Sequence, residues 1–296
     1  MRTLPRCLVG LACGDALGTT LEFSPRGSFT PITDMVGGGP FDLPAGAWTD
    51  DCSMALCLAH SLLYCKGFNP TDQMNRYCNW QAHGYMSSTG RCFDIGMTIA
   101  RALERYQQSG DPYSGESNPH TAGNGSLMRL APVPMYFWHD PAQLDEMAAN
   151  SARTTHGAEE AIEATRLFAQ QIRLALQGAD KTQICQITDF STPAITVQNL
   201  ARGSWQTKSE QQIMGTGYAI ASLEAALWCF WHTTDYASAV LRAANLGDDA
   251  DTTAAICGQL AGAYYGINSI PEPWQSRLFM GKEIKDLADR LLDQRV

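Results

Sequence analysis

Two short runs in the 296-residue chain concentrate the residue types that bind hard cations. The first is Trp48-Thr49-Asp50-Asp51 and the second Gly247-Asp248-Asp249-Ala250-Asp251-Thr252-Thr253. Each directly precedes a stretch that is apolar almost all round, Asp51 to Tyr64 and Thr252 to Tyr265. Each run therefore sets carboxylates and hydroxyls at the N-terminus of a buried helix. Capping a helix and complementing its dipole needs one such residue, at most two. Doubled carboxylates leading into buried helices would be costly without a cation. If the two N-termini converge, Asp50, Asp51, Asp249 and Asp251 supply four carboxylates, and Thr49 and Thr252 two hydroxyls. That all-oxygen set suits Mg²⁺ or Mn²⁺ rather than zinc, and four anionic groups suit two divalent ions better than one. Paired helix caps are the competing explanation. Asp248 lies outside the D-x-D-T spacing and reads as a supporting or surface residue.

The elements that must position these residues are helical. Apolar residues recur with helical period over Leu8–Gly18, Ile95–Tyr106, Pro141–Ser151, Ala158–Gln177, Gly217–His232, Tyr236–Ala244 and Met280–Leu292. Gly10, Gly14 and Gly18 share one face of the first of these, which lets a second helix or a ligand approach its backbone. Strand signals are scarce; the β-branched run at Ala194–Val197 has no alternating partner. The pattern predicts an all-α fold, a compact orthogonal multi-helix bundle forming one domain over residues 1–296. Two long loops interrupt it. Ser24–Thr49, rich in Gly and Pro, ends at the first acidic run, and Ser109–Gly125 ends in Gly-Asn-Gly. Loops this long in a compact domain tend to be functional.

Composition narrows the function classes. A net charge of −9 argues against nucleic acid and anionic membranes as partners. None of the ten cysteines forms a CxxC pair, and most sit in apolar stretches, so they read as core thiols in a reducing compartment. The N-terminal run, MRTLPRCLVGLACGDALG, is interrupted by Asp15 and reads as a core helix rather than a signal peptide. No apolar run approaches the length of a membrane span. The expected location is the cytoplasm.

Five ordered segments resemble the ADP-ribosylglycohydrolases, most of all the dinitrogenase-reductase-activating glycohydrolase type. They are GLACGDALGTTLEF (from Gly10), WTDDCSMALCLAHSL (from Trp48), GNGSLMRLAPVP (from Gly123), THG (from Thr155) and NLGDDADTTAAICGQLAGAYYG (from Asn245). The resemblance implies an all-α enzyme with a dinuclear Mg²⁺ or Mn²⁺ centre held by Thr49, Asp50, Asp51, Asp249, Asp251 and Thr252. It implies Glu22, Asp50 and Asp51 as catalytic residues that orient water and move a proton. Without the resemblance, a solvent-facing helix end is the lesser, competing reading of Glu22. Gly123, Asn124, Gly125 and Ser126 would form the substrate loop, with Asn124 on a ribose, although GNGS alone is an equally good turn. His156 would line the substrate, Tyr218 would present its ring to it, with core packing as the alternative, and Phe93 would stack on adenine.

The implied reaction is hydrolysis at the anomeric carbon of an ADP-ribosyl group, most simply one attached to arginine on a protein. Pyrophosphate would sit on backbone amides of glycine-rich loops and helix N-termini rather than on basic residues. One departure bears on the acceptor. The family type carries an acidic residue three positions before the Asn of GNG, and this chain has Thr121 there. Serine-linked, nucleic-acid-linked or O-acetyl ADP-ribose are the alternative substrates. A binding or immunity role, neutralising a cognate ADP-ribosyltransferase, is an alternative of a different class.

Overall fold

The computed structural model describes residues 7–294, so the two N-terminal arginines lie outside the described residues. Fifteen α-helices and no sheet make up that part of the chain. They are α1 (Cys7–Gly18), α2 (Asp50–Cys65), α3 (Pro70–His83), α4 (Met97–Ser109), α5 (Gly125–Met128), α6 (Pro132–Phe137), α7 (Pro141–Arg153) and α8 (Glu159–Gln177). The series continues with α9 (Lys181–Cys185), α10 (Ile195–Ala201), α11 (Ala219–Trp231), α12 (Tyr236–Ala244), α13 (Ala250–Tyr265), α14 (Glu272–Arg277) and α15 (Gly281–Leu292). The all-α expectation holds. The β-branched run at Ala194–Val197 belongs to α10, where Ala194 is the N-cap.

Helix α3 and the short helices carried too little periodicity to be read from sequence. Helix α3 is polar and buries only Gln73, Met74, Tyr77 and Trp80. Its ends are nevertheless well marked: the Asn69 side chain accepts from the Asp72 amide, Pro70 occupies the first turn, and Gly84 closes the helix at φ 68°. Helix α11 starts two residues later than its apolar pattern suggests. The Asn124 amide donates to the Gly217 carbonyl, and the Ala219 amide donates to Ala122, which holds Gly217 and Tyr218 extended beside the Gly123 loop.

The centre of the molecule is α1 against α13. Every residue of α1 is buried. A Cβ on Gly10, Gly14 or Gly18 would lie 2.2, 2.2 or 2.3 Å from the carbonyl oxygens of Gly258, Ala254 and Ala250. The glycine stripe thus admits a helix, not a ligand, with the two backbones in direct contact. Tyr236 of α12 closes this seam by donating to the Gly10 carbonyl at 2.8 Å.

Asp15 connects this seam to α2. Fully buried on α1, it accepts from the Thr49 amide (2.9 Å), the Cys52 amide (2.9 Å) and the Thr49 hydroxyl (3.0 Å). A carboxylate of α1 therefore satisfies the first turn of α2, with no cap from α2's own N-cap side chain. Because α1 also carries α13, the N-termini of α2 and α13 are brought face to face.

Candidate active site and metal centre

The two acidic runs meet across this junction in a crosswise pattern. Thr49 Oγ1 lies 3.3 Å from Asp251 Oδ2, and Thr252 Oγ1 lies 3.3 Å from Asp51 Oδ1, each within donating distance of the opposite helix's carboxylate, with the one hydrogen of Thr49 shared between Asp251 and the nearer Asp15. Asp50, Asp51 and Asp251 each offer a carboxylate oxygen, all within 4.8 Å of one another. A second set with the same separation comprises Glu22, Asp94 and Asp251. Asp51 Oδ2, Asp251 Oδ1 and Glu22 Oε2 are buried with no hydrogen-bond partner. Buried, unpartnered carboxylate oxygens facing one another lack the compensation that burial demands, and a cation would supply it. The cluster can hold a metal ion.

The electrostatics agree with the geometry. Burial, then neighbouring carboxylates, push the pKa values of Asp50, Asp51 and Asp251 well above the usual range. Burial, with Asp94 and Asp249 nearby, moves Glu22 up to about 10. Asp249 is also raised by burial, though less, because Asn124 holds it in the charged form. The side-chain amide of Asn124 donates to Asp249 Oδ2 at 2.7 Å and to Ser222 Oγ at 3.1 Å. The Gly-Asn-Gly segment thus orients one carboxylate of the second acidic run.

Most of these groups, though not Thr49 or Asp51, line a cleft of about 830 Å³, within the range of small-molecule sites. Glu22, Asp50, Asp94, Asp249, Asp251 and Thr252 form its acidic floor. Gly123, Asn124, Gly125 and His156 form one wall. Gly96 and the first turn of α4 also line it, and that helix has no side-chain cap. Phe23, Met97 and Met214, exposed by 67%, 68% and 54%, give the cleft its apolar surface. No lysine or arginine among the described residues lines it.

The structure brings most of the sequence-identified residues to this place, with three differences. Ser126 lies in the first turn of α5, and its hydroxyl pairs with Thr165 Oγ1 at 2.8 Å in the core, away from the cleft. The Tyr218 backbone bridges to Gly123, but its hydroxyl donates to Glu160 and its ring does not line the cleft. Phe93 packs edge-on against Phe41 (5.2 Å between centroids), and Phe41 against Phe23, so Phe23 is the aromatic residue that reaches the cleft. Glu22 lines the cleft and is buried, so it is not the solvent-facing helix end of the alternative reading.

Two acidic residues escaped the sequence reading. Asp15 had a detectable signal, since a carboxylate inside an apolar helix must be buried and must find donors. Asp94 had none. It sits in an irregular segment between α3 and α4, at φ 59°, and only the fold carries it to Glu22 and Asp251. Thr121, the position where the acidic residue was missing, donates to the Asn118 carbonyl at 2.7 Å and does not line the cleft.

Helix N-termini with facing carboxylates at the floor of a ligand-sized cleft form an acidic cluster that could hold a metal ion, and the chain belongs to the ADP-ribosylglycohydrolase family, whose model matches residues 4–296. Among its relatives, an ADP-ribosylarginine hydrolase, Tri1, of Pseudomonas putida is 43% identical over 97% of this chain and 77% of its own length. The ADP-ribosyl-[dinitrogen reductase] glycohydrolase of Rhodospirillum rubrum is 30% identical, over 96% of this chain and 93% of its own. A solved structure described as an ADP-ribosylglycohydrolase-related protein complex superposes with a TM-score of 0.86 at 43% identity, covering 97% of this chain and 95% of that one.

Proposed function

We propose that this protein is an ADP-ribosylarginine hydrolase, acting as one catalytic domain over its whole length, with a dinuclear Mg²⁺ or Mn²⁺ centre. The observation that carries the reading is the facing pair of helix N-termini with unpartnered carboxylate oxygens at the floor of the cleft. Relatives named as arginine hydrolases support the choice of linkage. Thr49, Asp50, Asp51, Asp249, Asp251 and Thr252 would hold the cations, with Asn124 fixing Asp249. When bound, such cations supply Lewis-acid stabilisation and acidify a water at neutral pH.

The chain's own groups account for the rest. The first turn of α4 lines the cleft, and its amides, left without a side-chain cap, would suit the pyrophosphate, whose charge no basic side chain there would balance. Phe23, Met97 and Met214 offer apolar surface to adenine. Glu22, with a raised pKa and an unpartnered Oε2, is placed to hold a proton beside the anomeric carbon. Asp94 supplies from another segment the carboxylate that Thr121 lacks, and on this reading it faces the guanidinium of the leaving arginine. Ten free cysteines suit a reducing compartment such as the cytoplasm, and no helix among the described residues is long and apolar enough to cross a membrane. The substrate is an ADP-ribosylated protein.

A panel of peptides ADP-ribosylated on arginine or serine, together with an ADP-ribosylated nucleic-acid base and O-acetyl-ADP-ribose, tests the linkage. Release from arginine at least tenfold faster than from the others is expected. Turnover of another linkage with arginine left intact would overturn the assignment.

A further inference from the structure

Arg129 is an unusual core residue: fully buried, with no carboxylate partner among the described residues. Its guanidinium lies over the Tyr77 ring, 5.0 Å from the centroid, and its Nη2 donates to Thr155 Oγ1 at 2.7 Å. Thr155, also fully buried, lies with its Oγ1 2.8 Å from His156 Nδ1. The direction of that second bond follows from donor counting. A guanidinium only donates, so the Thr155 oxygen is the acceptor toward Arg129. The hydroxyl hydrogen then needs an acceptor of its own, and His156 Nδ1 is the one the structure offers. The opposite arrangement, with Nδ1–H donating to Thr155, would leave that hydrogen buried and aimed at nothing.

His156 Nε2 therefore carries the ring's proton. It meets no protein acceptor among the described residues and lies beside the Gly-Asn-Gly wall of the cleft. A Cβ on Gly125 would come within 2.7 Å of His156 Cε1, and one on Gly123 within 3.4 Å of Nε2. We propose that Thr155, oriented by Arg129, is a positioning residue that locks His156 as its Nε2–H tautomer, so that the cleft presents a directed, neutral donor to an acceptor oxygen of the ADP-ribosyl group. Burial and the nearby Arg129 charge also hold the His156 pKa down at about 3, so the ring stays neutral. The role of the donor rests on the reading of the cleft as an ADP-ribose site; the tautomer does not.

The test uses the ¹⁵N-labelled full chain with Mg²⁺ present. Long-range ¹H–¹⁵N correlation spectra report which ring nitrogen is protonated, with His156→Asn identifying the signals, and calorimetry gives the affinity for ADP-ribose. The wild type should show a protonated Nε2 and a bare Nδ1. Thr155→Val should lose the single tautomer and weaken ADP-ribose binding about tenfold, the worth of one hydrogen bond. Thr155→Ser should retain both properties, and it keeps the test informative if the valine variant misfolds. An Nδ1-protonated or doubly protonated ring in the wild type would overturn the proposal, as would a Thr155→Val protein with unchanged tautomer and affinity. A wild type that binds no ADP-ribose at all would sink the reading of the cleft instead, and the tautomer would still be read in the free protein.

Discussion

Replacing Asp251 with Asn should stabilise the metal-free protein and abolish its response to metal. Asp251 is buried at the meeting point of both carboxylate groupings, with oxygens within 4.8 Å of those of Asp50 and Asp51 in one and of Glu22 and Asp94 in the other. At an effective dielectric constant near 20, two ionised carboxylates at that separation repel by about 3 kcal/mol, and keeping one of them protonated at pH 8 instead carries its own cost by linkage. Asparagine keeps the shape and removes the charge. In EDTA at pH 8, the variant should gain about 2–3 kcal/mol, or roughly 5 °C in Tm for a chain of this size. The sign with pH follows from linkage. Burial raises these carboxyl pKa values, so the metal-free folded state binds protons more tightly than the unfolded state. Its stability is fullest below the unfolded carboxyl values near 4 and declines as pH rises toward the raised native values. The advantage of the Asp251→Asn variant should accordingly shrink to nothing near pH 4. Mg²⁺ at about a hundred times its Kd should raise the wild-type Tm by roughly 5 °C and the variant's by less than about 1 °C. Differential scanning fluorimetry at several pH values, with and without metal, measures all of this. A variant that melts below wild type in EDTA at pH 8 and still responds to Mg²⁺ would refute the reasoning.

Three further outcomes are expected. Gly14→Ala would drive a Cβ to 2.2 Å from the Ala254 carbonyl oxygen, a backbone atom that cannot rotate away, and should cost about 3 kcal/mol, seen as a Tm lower by roughly 6 °C. Asn124→Ala removes the donor that holds Asp249 and should weaken metal affinity by about 10- to 100-fold in calorimetric titration, with little change in Tm in EDTA. Asp94→Asn should lower kcat/KM on arginine conjugates by about 10- to 100-fold while changing the Kd for free ADP-ribose less than about threefold; equal losses in both would place Asp94 in ADP-ribose or metal binding instead.

Local chemistry made the two acidic runs and the glycine stripe legible before the fold was known. A doubled carboxylate ahead of an apolar helix and three glycines on one face are statements about single helices. What joins them is not local. Asp15 caps a helix 34 residues away, and nothing in its neighbourhood names that partner. Asp94 depends on the path of an irregular segment, and Tyr218, Ser126 and Phe93 depend on which way a side chain turns from a correctly placed backbone. Asn124 was legible as a site residue, but its bond to Asp249 spans 125 positions and could be known only from the structure. Helix α3 was missed because its buried face is narrow, while its end signals at Asn69, Pro70 and Gly84 were present.

The central claim is that the facing helix N-termini form a cation-dependent centre for cleaving ADP-ribose from arginine. Its most direct test is the rate of ADP-ribose release from an ADP-ribosyl-arginine peptide by the chelated protein, before and after Mg²⁺ or Mn²⁺ is restored. The account predicts that chelation removes activity and that either cation returns it to the wild-type protein but not to the Asp251→Asn variant. Undiminished release after thorough chelation, or full activity in the Asp251→Asn protein, would contradict it.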